Sequence, residues 1–158
     1  MTLSPEIGYN IEGCRSCGHA ELQLVLDLGK TPLADALLSE AQLAEQEIIA
    51  PLTLHFCPNC SLLQIKETIK PEILFQRDYP YFSSVSKSLM EHFGGSAEHL
   101  ITARNLDANS MVVEAASNDG YMLRHFVAKG IPVLGIDPAQ GPAAAANEAG
   151  VPTRNTFF

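Results

Sequence analysis

Four cysteines, arranged as two Cys-x-x-Cys pairs, constrain this chain more than any other feature: Cys14-Arg15-Ser16-Cys17 and Cys57-Pro58-Asn59-Cys60. Each pair can bend into a knuckle that presents two thiolates on one side. Two knuckles supply the four sulfurs of a tetrahedral zinc site. Protein fills all four positions and leaves none for water, so the spacing points to a structural metal rather than a catalytic one. The 39 residues between Cys17 and Cys57 make a longer insert than the commonest zinc fingers have. Free buried thiols, disulfides and a redox pair are the alternatives. Disulfides need an oxidising compartment, and the opening Met-Thr-Leu-Ser-Pro-Glu-Ile lacks the basic stretch and apolar core of an export signal. A redox Cys-x-x-Cys would explain one pair and leave the other unexplained. His19 could replace a cysteine as ligand, but four thiolates already complete the shell.

The cysteines all lie before residue 70, and the rest of the chain has a different character. In the first part, Ser39 and Gln42 fit a capping box that opens a short helix through about Glu47. Leu52–Phe56 and Leu62–Ile65 read as short strands around Cys57 and Cys60. Pro71 fits the first position of another helix. From about Ser84 to Arg104 the spacing is helical, and Gly94-Gly95 is expected to weaken that helix or split it. Gly130-Ile131-Pro132 and Gly150-Val151-Pro152 recur 20 residues apart. Glycine suits the left-handed position after a helix, and the proline cannot continue one. The last third therefore parses as strand (Met111–Ala115), helix (Tyr121–Lys129), strand (Val133–Ile136), helix (Ala139–Ala149) and strand (about Val151–Phe157). Such alternation implies a parallel sheet with right-handed crossovers, in strand order 3-2-1. The expected fold class is α/β, a small zinc-binding module followed by a partial Rossmann-like parallel sheet. The expected division is 1–70 for the module, 71–105 for a mainly helical connector and 106–158 for the truncated sheet.

Composition narrows the partners. A chain of 158 residues, 46% of them hydrophobic, suits one domain or two small ones. Its net charge of −8 disfavours nucleic acid and anionic membranes, because binding phosphate without sequence preference needs clustered Lys and Arg. No apolar run approaches the length of a membrane span. A cytoplasmic location, where thiols stay reduced, is expected.

In a doubly wound sheet the ligand lies at the C-terminal ends of the strands. That rim holds Ser117-Asn118-Asp119-Gly120 after one strand and Asp137 after the next. A pyrophosphate needs bare backbone N–H groups and several glycines. This turn has one glycine, and Asp119 places negative charge where a phosphate would sit. The turn suits a ligand with an ammonium group and no phosphate nearby. Asp137 can accept hydrogen bonds from both hydroxyls of a ribose. Glu114, within the strand, is costly if buried without a partner. S-adenosylmethionine meets these demands. Alternatively, Asn118 or Asp119 caps the following helix and Asp137-Pro138 forms a turn.

The segment Val113–Gly120, with Gly135-Ile136-Asp137-Pro138 after it, resembles the cofactor motifs of sugar C-methyltransferases. Upstream, Cys14-x-x-Cys17, Asp27-Leu28-Gly29-Lys30-Thr31-Pro32-Leu33-Ala34-Asp35 and Cys57–Gln64 resemble that family's N-terminal zinc-binding module. Tyr79-Pro80-Tyr81-Phe82-Ser83-Ser84-Val85-Ser86 resembles its tyrosine–serine segment. The resemblance implies a class I methyltransferase fold, a structural Zn2+ on Cys14, Cys17, Cys57 and Cys60, and S-adenosylmethionine as cofactor. It implies that Asp137 binds ribose hydroxyls, that Glu114, Ser117, Asn118, Asp119 and Gly120 shape the methionine end, and that Tyr79 and Tyr81 orient cofactor or sugar. Packing of the two tyrosines between the module and the sheet is the alternative. The implied substrate is a nucleotide-linked 4-keto deoxysugar. Its ketone acidifies a neighbouring C–H, a base removes that proton, and the enolate attacks the sulfonium methyl in line. His92 and His125 read as helix-surface residues. Ala116 departs from the glycine that many methyltransferases carry there.

Family members are far longer. Their catalytic histidine and glutamate lie in the second half of the methyltransferase domain, and a further domain follows. The resemblance therefore implies that these 158 residues are a fragment with little or no activity of its own. Its first strand would lack a neighbour, and that exposed edge favours a homodimer. Two rival readings are a zinc-stabilised protein-binding module without chemistry and a nicotinamide enzyme. The first gives no reason for Asp137 on the rim, and the single glycine argues against the second.

Overall fold

A computed structural model describes residues 3–76 and 79–158. The chain divides into two compact units, Met1–Leu74 and Phe75–Phe158.

In the first unit, β1 (Gly8–Asn10) pairs antiparallel with β5 (Glu67–Ile69). A second sheet is an antiparallel meander of β2 (Gln23–Pro32), β3 (Ile49–Phe56) and β4 (Leu63–Ile65), in that order. β3 and β4 fall where the apolar runs before and after Cys57 predict strands. β2 is a strand that the sequence hides. Its pairing slips between Leu24 and Leu26 and again between Asp27 and Lys30, so no alternation survives along it. At the second slip the Asp27 carboxylate accepts the Gly29 N–H at 2.8 Å, and Gly29 takes φ 76°, a turn built into the strand. The two sheets are joined through Glu67, which is 5% exposed and accepts from Thr53 Oγ1 at 2.8 Å and Thr53 N at 3.3 Å.

The helix expected to run from Ser39 to Glu47 is only a short 3-10 helix, Glu40–Ala44. Gln42 Oε1 does reach back to Ser39, accepting from its N–H and its hydroxyl at 2.8 Å each. No residue of the turn is buried, so nothing apolar extends it into a longer helix.

Helix α1 (Pro71–Phe75) starts on the proline, as expected, and the division between units falls within it. Helix α2 (Lys87–Arg104) runs unbroken through Gly94-Gly95, contrary to the expected weak point. The reason is packing. A Cβ on Gly94 would stand 3.0 Å from the His125 ring, so the glycine admits that ring against the helix. His125 is thus not a plain surface residue, and its Nε2 is buried without a hydrogen-bond partner among the described residues. The Ser86 hydroxyl caps α2 by accepting the Leu89 N–H at 3.4 Å, and Asn105 closes it at φ 51°.

The rest follows the predicted alternation: β6 (Val112–Ala115), α3 (Leu123–Val127), β7 (Val133–Asp137), α4 (Gln140–Glu148) and β8 (Thr153–Asn155). The strands are parallel in the order β6-β7-β8. The two Gly-x-Pro segments close their helices as expected. Gly130 and Gly150 stand at φ 71° and 79°. Beyond them Ile131 N donates to Phe126 O at 3.1 Å and Val151 N to Ala146 O at 2.9 Å. This is the Schellman arrangement, whose flanking apolar residues pack together. Here Phe126, Ile131, Ala146 and Val151 join Ala97, Leu123 and Val133 as the buried core of the unit. The helix ends that stop the chain also pin α3 and α4 to the sheet.

Candidate functional site

The first unit brings all four cysteines together. Cys14 and Cys60 have sulfurs 3.6 Å apart, as do Cys17 and Cys57, and all four sulfurs lie within 4.8 Å of one another. A tetrahedron with Zn–S bonds of ~2.3 Å has edges of ~3.8 Å, so the donor set fits zinc. The knuckles are built alike. Gly18 N donates to Cys14 O at 2.9 Å and Ser61 N to Cys57 O at 2.8 Å, while Cys14 N and Cys57 N donate to His19 O and Leu62 O at 2.9 Å each. Gly18 and Ser61, the equivalent residues, stand at φ 74° and 62°. His19 contributes its backbone to the knuckle rather than joining the sulfur cluster.

The electrostatics of the thiols are uneven. The Cys17 backbone N–H and then the Gln64 amide hold the Cys14 thiol down at about 6. The Asn59 side chain, followed by the His19 backbone, lowers Cys17. Cys60 receives a lowering bond from Leu62 N–H, but burial and the three neighbouring sulfurs outweigh it and push the thiol up to about 12. A bound metal cation would reverse this competition, since it takes every sulfur as thiolate. Gln64 and Asn59 were not singled out from the sequence as site residues. The available signal was a glutamine alternating with Leu63 and Ile65: Gln64 is 7% exposed while both leucine and isoleucine face outward.

The second unit holds the rim. Ala116 stands at φ 58°, Asn118 at 49° and Gly120 at 73°, so the chain reverses sharply as it leaves β6. Ser117, Asn118, Asp119 and Asp137 are all buried. Asn118 N donates to Asp137 Oδ2 at 2.7 Å, which ties the turn after β6 to the tip of β7, and Ala139 N donates to Asp137 Oδ1 at 2.8 Å. Each carboxylate oxygen has a second lone pair beyond these bonds. Gly135 makes room for the turn, because a Cβ there would sit 2.5 Å from both Ser117 Oγ and Thr153 Oγ1.

The side chains of Asn118 and Asp119 hold the segment at 81–84. Asn118 Oδ1 accepts from Ser83 N at 2.8 Å, Asn118 Nδ2 donates to Tyr81 O at 3.1 Å, and Asp119 Oδ2 accepts from Ser84 N at 3.2 Å. Arg124 braces the turn from below, donating to Asp119 O at 3.1 Å and Gly120 O at 3.3 Å. Tyr81 thus reaches the rim through its carbonyl. Tyr79 packs edge-on against Phe75, with ring centroids 5.7 Å apart. Phe82 lies over the first turn of α4, its ring tip 3.5 Å from where a Gly141 Cβ would be.

Among the described residues, Glu114 Oε2, Ser117 Oγ and Asp119 Oδ1 are buried without a hydrogen-bond partner. Burial pushes the Glu114 carboxyl up to about 7, against a lowering bond from the Tyr121 hydroxyl and with a further upward push from Asp137. Tyr121 is pushed up to about 12 by burial and then by Glu114. Asp119 and Tyr81 also act on that hydroxyl, so these groups share one neighbourhood.

Residues 14–75 match a family described as "Putative zinc binding domain". Over 143 residues, 90% of this chain, the sequence is 36% identical to the C-methyltransferase NovU of Streptomyces niveus. The chain spans 34% of that relative's length. Both findings bear out the resemblance to C-methyltransferases with an N-terminal zinc-binding module.

Proposed function

We propose that this chain, similar to C-methyltransferases, supplies the zinc module and the cofactor-binding half of an S-adenosylmethionine-dependent C-methyltransferase. Its acceptor would be a nucleotide-linked 4-keto deoxysugar. The observation that carries the cofactor reading is a pair of buried carboxyl oxygens beside the turn, Glu114 Oε2 and Asp119 Oδ1, that have no hydrogen-bond partner among the described residues. Unsatisfied buried acceptors demand a donor, and an ammonium group provides several. The Asp119 carboxylate repels phosphate, which argues against a dinucleotide. Asp137, already fixed by two N–H groups, keeps lone pairs for ribose hydroxyls. Bound there, S-adenosylmethionine would supply an electrophilic methyl group. Glu114 and the turn would hold its methionine end, Asp137 its ribose, and Phe82 would wall the side near Gly141.

The zinc is structural in this reading, since four thiolates leave no coordination place for substrate. The general base is expected outside these residues, so the chain alone would show little or no methyl transfer. Four cysteines that form no disulfide suit a reducing, cytoplasmic setting. Among the described residues no helix is long and apolar enough to cross a membrane.

Calorimetry with S-adenosylhomocysteine tests the cofactor site. Binding that is lost in Asp137→Ala and retained in a distant surface variant supports it. If NADH binds and S-adenosylhomocysteine does not, the reading fails.

A further inference from the structure

Gln64 sits in the middle of β4, buried, with both ends of its amide engaged. Arg15 N lies 2.9 Å from Oε1, and Cys14 Sγ lies 3.1 Å from Nε2. A backbone N–H can only donate, so it must face the amide oxygen; the amide's orientation is thereby fixed and its N–H must face the sulfur. Arg15 is itself tied down. Its guanidinium donates to Ile65 O at 3.3 Å, to Glu67 O at 3.3 Å and to Thr68 Oγ1 at 2.7 Å. The Arg15 bonds clasp the first knuckle to β4 and β5, and the Gln64 amide extends that clasp to the Cys14 sulfur.

From this geometry we propose that Gln64 is a positioning residue of the metal centre: its N–H···S bond orients the Cys14 thiolate and sets how tightly the centre holds zinc. A hydrogen bond to a ligating atom fixes that ligand's direction and tunes its electron donation. Loss of such an outer partner typically lowers metal affinity about 10- to 100-fold. The clasp also aligns the two knuckles before metal arrives, which removes part of the ordering that binding would otherwise have to impose. The proposal stands apart from the cofactor reading and needs no methyl transfer to test.

Two variants of the 158-residue chain separate tuning from plain support of the fold. Gln64→Met keeps the length and loses both polar ends. Gln64→Glu keeps the acceptor for Arg15 N and sets a carboxylate against the thiolate. Zinc affinity is measured by competition with a chromophoric chelator, and the Co2+-loaded proteins are compared by absorption. The expected result is at least a tenfold loss of zinc affinity in Gln64→Met and a larger loss in Gln64→Glu. The thiolate-to-cobalt band should move to longer wavelength in both, because a thiolate without its N–H partner gives up electron density more readily. If Gln64→Glu binds zinc as tightly as the unmodified chain, the N–H···S bond has no such role. An unshifted cobalt band in a variant that loads fully with metal would overturn the proposal equally. Should one variant fail to fold, the other carries the test.

Discussion

Ala116→Gly should stabilise the second unit. Ala116 lies just past β6 at φ 58°, in the left-handed region, where a Cβ crowds the backbone at a cost of roughly 1–2 kcal/mol. Its side chain is exposed, so deleting the methyl forfeits little packing. Its N–H bond to Ile136 O, at 2.8 Å, does not involve the side chain and survives the change. Against the relief stands the greater freedom of glycine in the unfolded chain, about 0.4–1 kcal/mol. The balance is a gain of about 0.5–1 kcal/mol. For a unit of this size that corresponds to a rise of roughly 2–8 °C in melting temperature. Urea unfolding followed by far-UV circular dichroism, with zinc held saturating, measures it, and Ala116→Ser serves as a control expected to give no gain. A loss of stability in Ala116→Gly, or an equal gain in the serine variant, would show that the backbone is not held in the left-handed region and would refute the reasoning.

Glu114→Gln should change how stability depends on pH. The folded carboxyl titrates at about 7 against an ordinary 4.5, so the fold prefers its neutral form. The resulting penalty is absent below pH 4.5, grows as pH rises through this interval, and is complete above about 7. A fully sheltered group with that shift would lose about 3 kcal/mol, but this carboxyl is only half-buried, and solvent screening reduces the expectation to about 1–2 kcal/mol. The stability of Glu114→Gln relative to the unmodified chain should therefore improve by that amount between pH 4.5 and pH 8 in denaturant titrations; a constant difference would contradict the assignment. The free edge of β6 should drive self-association, since Val113 in the strand and Met111 just before it are 52% and 62% exposed and β6 pairs only with β7 among the described strands. Light scattering should show dimers that Val113→Lys disperses, and a monomer at all concentrations would exclude this.

The parts that could be read from the sequence were those with short-range rules. Two Cys-x-x-Cys pairs specify a sulfur cluster because each knuckle is local and the metal geometry supplies the rest. Gly130 and Gly150 mark helix ends because few other residues take a left-handed backbone cheaply. β2 stayed hidden because its two slips erase the alternation that betrays a strand. The continuity of α2 is not legible from propensity because Gly94 serves His125, about 30 residues away, and propensity carries no record of such a partner. The rim shows both sides of this. Asn118, Asp119 and Asp137 were readable as polar groups at strand ends. That two of those side chains would hold the backbone at 81–84 was not readable, because those bonds span 35 residues or more.

That stapling makes residues 81–84 a remote gauge of the crevice. The amide hydrogens of Ser83, Ser84, Asn118 and Ala139 hang on just three side chains, Asn118, Asp119 and Asp137. Deuterium should therefore reach Ser83 and Ser84 when the bend beyond β6 lets go, even though the chain between them winds through all of α2. Whatever seats itself beside Asp137 would be felt as slower exchange in a stretch that precedes it by more than 50 residues.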